Sequence, residues 1–120
     1  MIAKGGGSII NISSVTARTG TPIMSVYGAS KAALDSLTLS WAVEFGGHGI
    51  RVNSVAPGLT RTEKVEEHLG DAIDDIVAPT PLGRAGSPEE IAEAVLFLAS
   101  PRSSFLTGSI VTADGGALAT

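Results

Sequence analysis

Residues 8–34 read "SIINISSVTARTGTPIMSVYGASKAAL", passing from a β-branched run, through a serine pair, into a long helical period. The first six residues, "SIINIS", follow the cluster Gly5–Gly7 and stop at Ser13 and Ser14, which marks a short buried strand. From about Val26 to Phe45, Ala29, Ala33, Leu37, Trp41 and Phe45 recur every four positions with Leu34 beside them. That stripe predicts a helix and its packing face. Gly46, Gly47 and Gly49 end it.

The same alternation continues to the C-terminus. "IRVNSVAP" (50–57) sets Ile50, Val52 and Ser54 on one side and Arg51, Asn53 and Val55 on the other, a strand closed by the turn at Pro57-Gly58. Residues 63–78 are polar, helical in propensity and broken at Gly70, which predicts one or two short, mobile helices. In "SPEEIAEAVLFLAS" (87–100), Ser87 is an N-cap, Pro88 takes the first helical position and Glu90 completes a capping box ahead of Ile91, Ala94, Val95 and Leu98. "GSIVTADGG" (108–116) is a last short strand. Strands alternating with helices imply a parallel sheet with right-handed crossovers, hence an α/β fold. No repeat or linker divides the chain.

Composition removes several function classes. The chain has 120 residues, a formal charge of −4 and 43 % hydrophobic residues, as expected of one globular unit. Its eight lysines and arginines are scattered, so no basic stripe points to nucleic acid. There is no cysteine, which excludes disulfides and thiolate metal sites. No apolar run approaches the roughly 18 residues of a membrane span, and the N-terminus lacks a signal-peptide pattern. The expectation is a cytoplasmic protein without a membrane partner.

Tyr27 is the only tyrosine, and Lys31 follows it by four positions. On a helix that spacing stacks the two side chains on one face, about 6 Å apart. A nearby ammonium favours the phenolate and so tunes a phenol toward proton transfer with a substrate oxygen. Ser14 lies just past the first strand, at the carboxyl end where ligands bind parallel sheets. The second strand ends in "APGLTRT", which brings Pro57, Gly58, Thr60 and Thr62 to the same rim. His48 and His68 read as surface residues. Glu66, Glu67, Asp71, Asp74 and Asp75 lack the spacing of a calcium loop and read as a solvated face, so no metal site is expected. Neither a Ser-x-x-Lys motif at Lys31 nor a nucleophile elbow at Ser14 supports a hydrolase.

Taken in order, "GGGSIINISS", the Ser14–Tyr27 spacing, "YGASKAAL", "GIRVNSVAPG", "PLGRAGSPEEIAEAVLFLAS" and "LTGSIVTADGG" resemble the short-chain dehydrogenase/reductases along nearly the whole chain. The resemblance implies a partial Rossmann-like, three-layer fold with about three parallel strands and flanking helices. Residues 1–120 would be the C-terminal portion of a dinucleotide-binding domain. It implies Tyr27 as catalytic acid/base and Lys31 as ligand of the nicotinamide ribose. Ser14 would hold the substrate oxygen, Pro57 and Gly58 would pack near the nicotinamide, and Thr60 and Thr62 would fix its carboxamide or the diphosphate. The implied cofactor is NAD or NADP, and the substrate a small alcohol or ketone. The implied assembly is a homo-oligomer, dimer or tetramer, through the Tyr27 helix, the 87–100 helix and the last strand. Family members open with a strand, a Gly-rich turn and a helix. Here the glycine cluster precedes a strand and cannot play that part. The alternative expectation is an inactive fragment that serves only as an association module.

Overall fold

The structure, a computed structural model, describes residues 1–120. Three strands form one parallel sheet in the order β1-β2-β3: β1 Gly7–Ile12, β2 Ile50–Pro57 and β3 Ile110–Ala113. The register pairs Ile9 with Val52 and Ile12 with Val55 across the first ladder, and Pro57 with Ala113 across the second. Helix α1, Ser25–Gly46, joins β1 to β2. Two short helices, α2 Glu63–Leu69 and α3 Ala72–Val77, and the longer α4, Pro88–Ala99, join β2 to β3. The α/β reading holds, with element ends moved by up to three residues.

The sheet has helices on both faces, as parallel strands require. Ile50 and Val52 pack with Ala42 of α1, and Ile9, Trp41 and Phe45 complete that cluster. On the other face Ser8 Oγ donates to the Leu98 carbonyl of α4 at 3.0 Å. Arg51 reaches the segment beyond α4, donating to Ser103 Oγ at 2.8 Å and to the Ser100 carbonyl at 3.2 Å. Since β2 is flanked by strands and covered on both faces, even its polar Asn53 and Ser54 are buried. Asn53 Nδ2 donates to the Leu106 carbonyl at 2.8 Å while its Oδ1 accepts from the Ser109 amide at 3.0 Å. No buried side-chain polar atom is left without a partner.

The packing face of α1 differs from the expected one. Ala29, Ala33 and Leu37 are exposed, while Asp35, Thr38 and Ala42 are buried. A four-residue period drifts about 40° per step around an α-helix, so a stripe of five such residues wraps off any one face. Only its end, Trp41 and Phe45, reaches the core, and Trp41 packs on the sheet.

Helix α4 follows its sequence pattern closely. The Ser87–Glu90 capping box forms in both directions, and Leu98 is fully buried. The break at Gly70 separates α2 from α3, and Ile73 and Val77 of α3 are buried. Strand β1 has a free edge. Gly7 and Ser13 give their amides to Gly49 and Val55 of the β2 side, so by alternation those of Ser8, Ile10 and Ile12 point away from β2. No helix is long and apolar enough to cross a membrane.

Candidate active site

The carboxyl end of β1 runs along the first turns of α1. Ser13 Oγ donates to the Lys31 carbonyl at 3.3 Å, and Lys31 Nζ donates to the Ile12 carbonyl at 2.8 Å. The ammonium thus satisfies an outward carbonyl of the free β1 edge. It also lies 5.6 Å from the centre of the Tyr27 ring, the cation–aromatic approach that the four-residue spacing predicts. Tyr27 itself is 43 % exposed.

Ser14 is buried and caps a single 3-10 turn, Val15–Ala17. Its Oγ accepts from the Thr16 amide at 3.2 Å and from the Thr16 hydroxyl at 3.0 Å. That turn packs directly on α1 next to Tyr27. A Cβ placed on Gly28 would stand 2.8 Å from the Thr16 carbonyl oxygen, so only glycine allows this approach. The structure therefore brings Ser14, Tyr27 and Lys31 to one place.

The β2 end is the adjoining rim. Pro57 is its last residue, and Gly58 follows with its amide on the Ala113 carbonyl at 3.0 Å. A Cβ on Gly58 would meet the Asp114 Cα at 2.8 Å, so this glycine lets the β2 and β3 ends close on each other. The two threonines are engaged locally. Thr60 donates to the Gly58 carbonyl at 3.1 Å, and the Thr62 oxygen accepts from the Val65 amide at 3.3 Å as the N-cap of α2. A cavity of about 480 Å³ opens beyond this rim, lined by Leu59, Gly86, Ile91, Thr112 and Asp114 among others. None of the expected site residues lines it.

Three features of the site were not read from the sequence. Thr16 and Gly28 form the contact between turn and helix. Asp35 is buried one turn beyond Lys31, where its Oδ1 accepts from Ser54 Oγ at 3.1 Å and its Oδ2 lies 3.9 Å from Arg18 Nε. Thr38, the next buried residue, accepts from Asn11 Nδ2 at 2.8 Å. The signal for Asp35 was its spacing: positions 27, 31 and 35 continue one helical stripe.

The sequence pattern of the family described as Enoyl-(Acyl carrier protein) reductase matches residues 1–117. The chain belongs to the short-chain dehydrogenase/reductase family. It is 46 % identical over 116 residues to a 3-oxoacyl-[acyl-carrier-protein] reductase of Thermotoga maritima, covering 97 % of this chain and 47 % of that protein. Among solved structures, a short chain dehydrogenase/reductase family protein superposes with a TM-score of 0.94 at 58 % identity, over 100 % of this chain and 49 % of the other. A 7α-hydroxysteroid dehydrogenase complexed with NADH and 7-oxo glycochenodeoxycholic acid superposes with a TM-score of 0.91 at 38 % identity, over 97 % and 46 %. The chain thus spans about half the length of the curated relatives it matches. Its three parallel strands and flanking helices are the Rossmann-type arrangement of this dehydrogenase family.

The residues present suit the nicotinamide end of a dinucleotide: an exposed phenol, an ammonium and a serine hydroxyl at the carboxyl edge of a parallel sheet. They do not supply a diphosphate turn, because Gly5 closes a 3-10 turn that leads into β1.

Proposed function

We propose that this short-chain dehydrogenase/reductase chain carries the acid/base half of an NAD(P)-dependent oxidoreductase site that interconverts a small alcohol and a ketone. The supporting observation is the joining of the β1 end to the first turns of α1, through Lys31 Nζ on the Ile12 carbonyl and the Thr16–Gly28 contact. In the reduction direction Ser14 donates a hydrogen bond to the carbonyl oxygen and holds it toward Tyr27. Tyr27 gives its proton to that oxygen, with the Lys31 ammonium 5.6 Å from the centre of its ring. The reduced nicotinamide supplies the hydride to the carbonyl carbon. Pro57 and Gly58 form the adjoining wall. Thr60 and Thr62 shape the turn into α2, Thr60 Oγ1 donating to the Gly58 carbonyl and Thr62 Oγ1 accepting from the Val65 amide. The NADH and 7-oxo glycochenodeoxycholic acid bound by one solved relative support the cofactor and the ketone class of substrate.

The test joins this chain to the N-terminal half of a full-length relative and titrates the joined protein with NADH and NADPH, followed by Trp41 fluorescence and by ketone-dependent loss of the reduced nicotinamide. Quenching with turnover is expected. A joined protein that neither binds cofactor nor turns over, yet self-associates, contradicts this reading and supports a second one, a purely associative module. One observation favours association in either case. Val26, Leu39 and Val43 stand outward on α1, and Leu96 and Phe97 on α4, all exposed. We propose a homo-oligomer through these helices and β3. Val43→Lys is expected to shift sedimentation toward monomer while leaving the unfolding midpoint in place. An unchanged association state contradicts it.

A further inference from the structure

We propose that Thr16 is a positioning residue that fixes the Ser14 hydroxyl as a hydrogen-bond donor; the inference rests on the oxidoreductase reading of Ser14 given above. A serine hydroxyl has two acceptor lone pairs and one proton to donate. Here both acceptor positions of Ser14 Oγ are occupied, one by the Thr16 amide at 3.2 Å and the other by the Thr16 hydroxyl at 3.0 Å. No group of the chain accepts the Ser14 proton, which is left free to donate. A ketone oxygen can only accept, so the hydroxyl is set in the state that a carbonyl substrate needs. With the amide bond alone, Ser14 would keep a free lone pair. It could then rotate, or accept from solvent, before substrate arrives.

Thr16 is also fixed from its other side. Its carbonyl oxygen abuts α1 at Gly28, the residue after Tyr27, where no Cβ fits. It lies within the 3-10 turn that Ser14 caps, closed by the Ala17 amide on the Ser14 carbonyl at 3.0 Å. One residue thus touches the Tyr27 helix through its backbone and Ser14 through its side chain. That double contact ties the turn that carries Ser14 to the helix that carries Tyr27. Thr16 acts through Ser14 and needs no contact with substrate.

The test compares the chain with Thr16→Val, which keeps the shape and the amide but lacks the hydroxyl, and with Thr16→Ser, which restores the donor. Nuclear magnetic resonance reads it directly. The wild-type chain is expected to show a protected Thr16 hydroxyl proton with a cross-peak to the Ser14 β protons, and a single Ser14 χ1 rotamer from its three-bond couplings. Thr16→Val is expected to average that rotamer and Thr16→Ser to restore it. In ketone reduction by the joined protein, loss of one neutral hydrogen bond is expected to lower kcat about tenfold with the KM for NAD(P)H unchanged, and Thr16→Ser to recover most of it. A Ser14 rotamer identical in Thr16→Val overturns the inference, as does a Ser14 proton found bonded to Thr16 Oγ1. If Thr16→Val fails to fold, the identity of the protected proton in the wild-type chain decides alone. Rotamer release in a chain with no turnover keeps this inference and overturns the oxidoreductase reading. Equal turnover in Thr16→Val and wild type overturns this inference and keeps that reading.

Discussion

Helix α1 meets the sheet with Asp35 and Thr38 ahead of its apolar last turns, Trp41, Ala42 and Phe45, whereas α4 carries no buried polar residue and turns inward Leu98, half-buried Ile91 and Val95. Outward, the chemistry is reversed. Val43 of α1 is 86 % exposed, while the solvent side of α4 carries Glu89, Glu90 and Glu93 beside Leu96. Helix α4 is an ordinary amphipathic helix with its own start signal. Helix α1 is tied to the sheet by directional bonds, Asp35 to Ser54 and Thr38 to Asn11, and these fix its rotation about its axis. Rotation matters only on α1, because Tyr27 and Lys31 must face the end of β1. Hydrophobic contact tolerates sliding and repacking; a buried carboxylate with one partner hydroxyl does not.

The comparison can be broken at either anchor. Leu98→Ala removes a fully buried side chain from α4 and is expected to cost about 3 kcal/mol, read by urea unfolding. Asp35→Ala is expected to cost about 2 kcal/mol, because it strands the Ser54 hydroxyl in the interior. It should also lower turnover by more than its stability loss explains, while Leu98→Ala should not. Equal losses of turnover in both would contradict the assignment of α1's rotation to Asp35.

How much of this was legible beforehand follows the same division. The strands, the capping box of α4 and the spacing of Tyr27 and Lys31 are local patterns, and each is present in the fold. The inner face of the first half of α1 was misread because Ala29, Ala33 and Leu37 lie on the outward side, and the buried Asp35 and Thr38 are held through tertiary partners; only Trp41 and Phe45 of the expected stripe reach the core. Ser54 and Asn11 lie on strands that sequence spacing cannot pair with Asp35 and Thr38. Ser14 was placed from the strand end. Its accepting bonds from Thr16 depend on a turn geometry that serine and threonine spacing leaves open. Thr60 and Thr62 follow the β2 end, and the use of their hydroxyls in the turn and in the α2 cap was not legible.

Smaller effects sharpen the contrast on the α4 side. Ser87→Ala removes the N-cap and is expected to cost about 1 kcal/mol without touching turnover, measured by thermal unfolding and by steady-state kinetics. Glu90 has its carboxyl lowered from 4.5 to about 2, first by the hydrogen bond from Arg84 and then by the Ser87 amide. Because the folded value is depressed, the stabilising contribution is complete above about 4.5 and is lost as pH falls toward about 2. The group is fully exposed, so the effect is small. Glu90→Gln is expected to remove that part of the acid dependence of the melting temperature, and an unaltered acid limb would contradict it.

The most direct measurement is ketone reduction by the joined protein carrying the wild-type chain or Tyr27→Phe, each followed with NADH and NADPH at matched fluorescence quenching of Trp41. Loss of a positioned general acid predicts a fall in turnover of about a hundredfold or more in Tyr27→Phe, with cofactor quenching retained. Turnover by Tyr27→Phe equal to that of the wild-type chain would contradict the account, for the joining of α1 to the end of β1 would then serve the fold and not the chemistry.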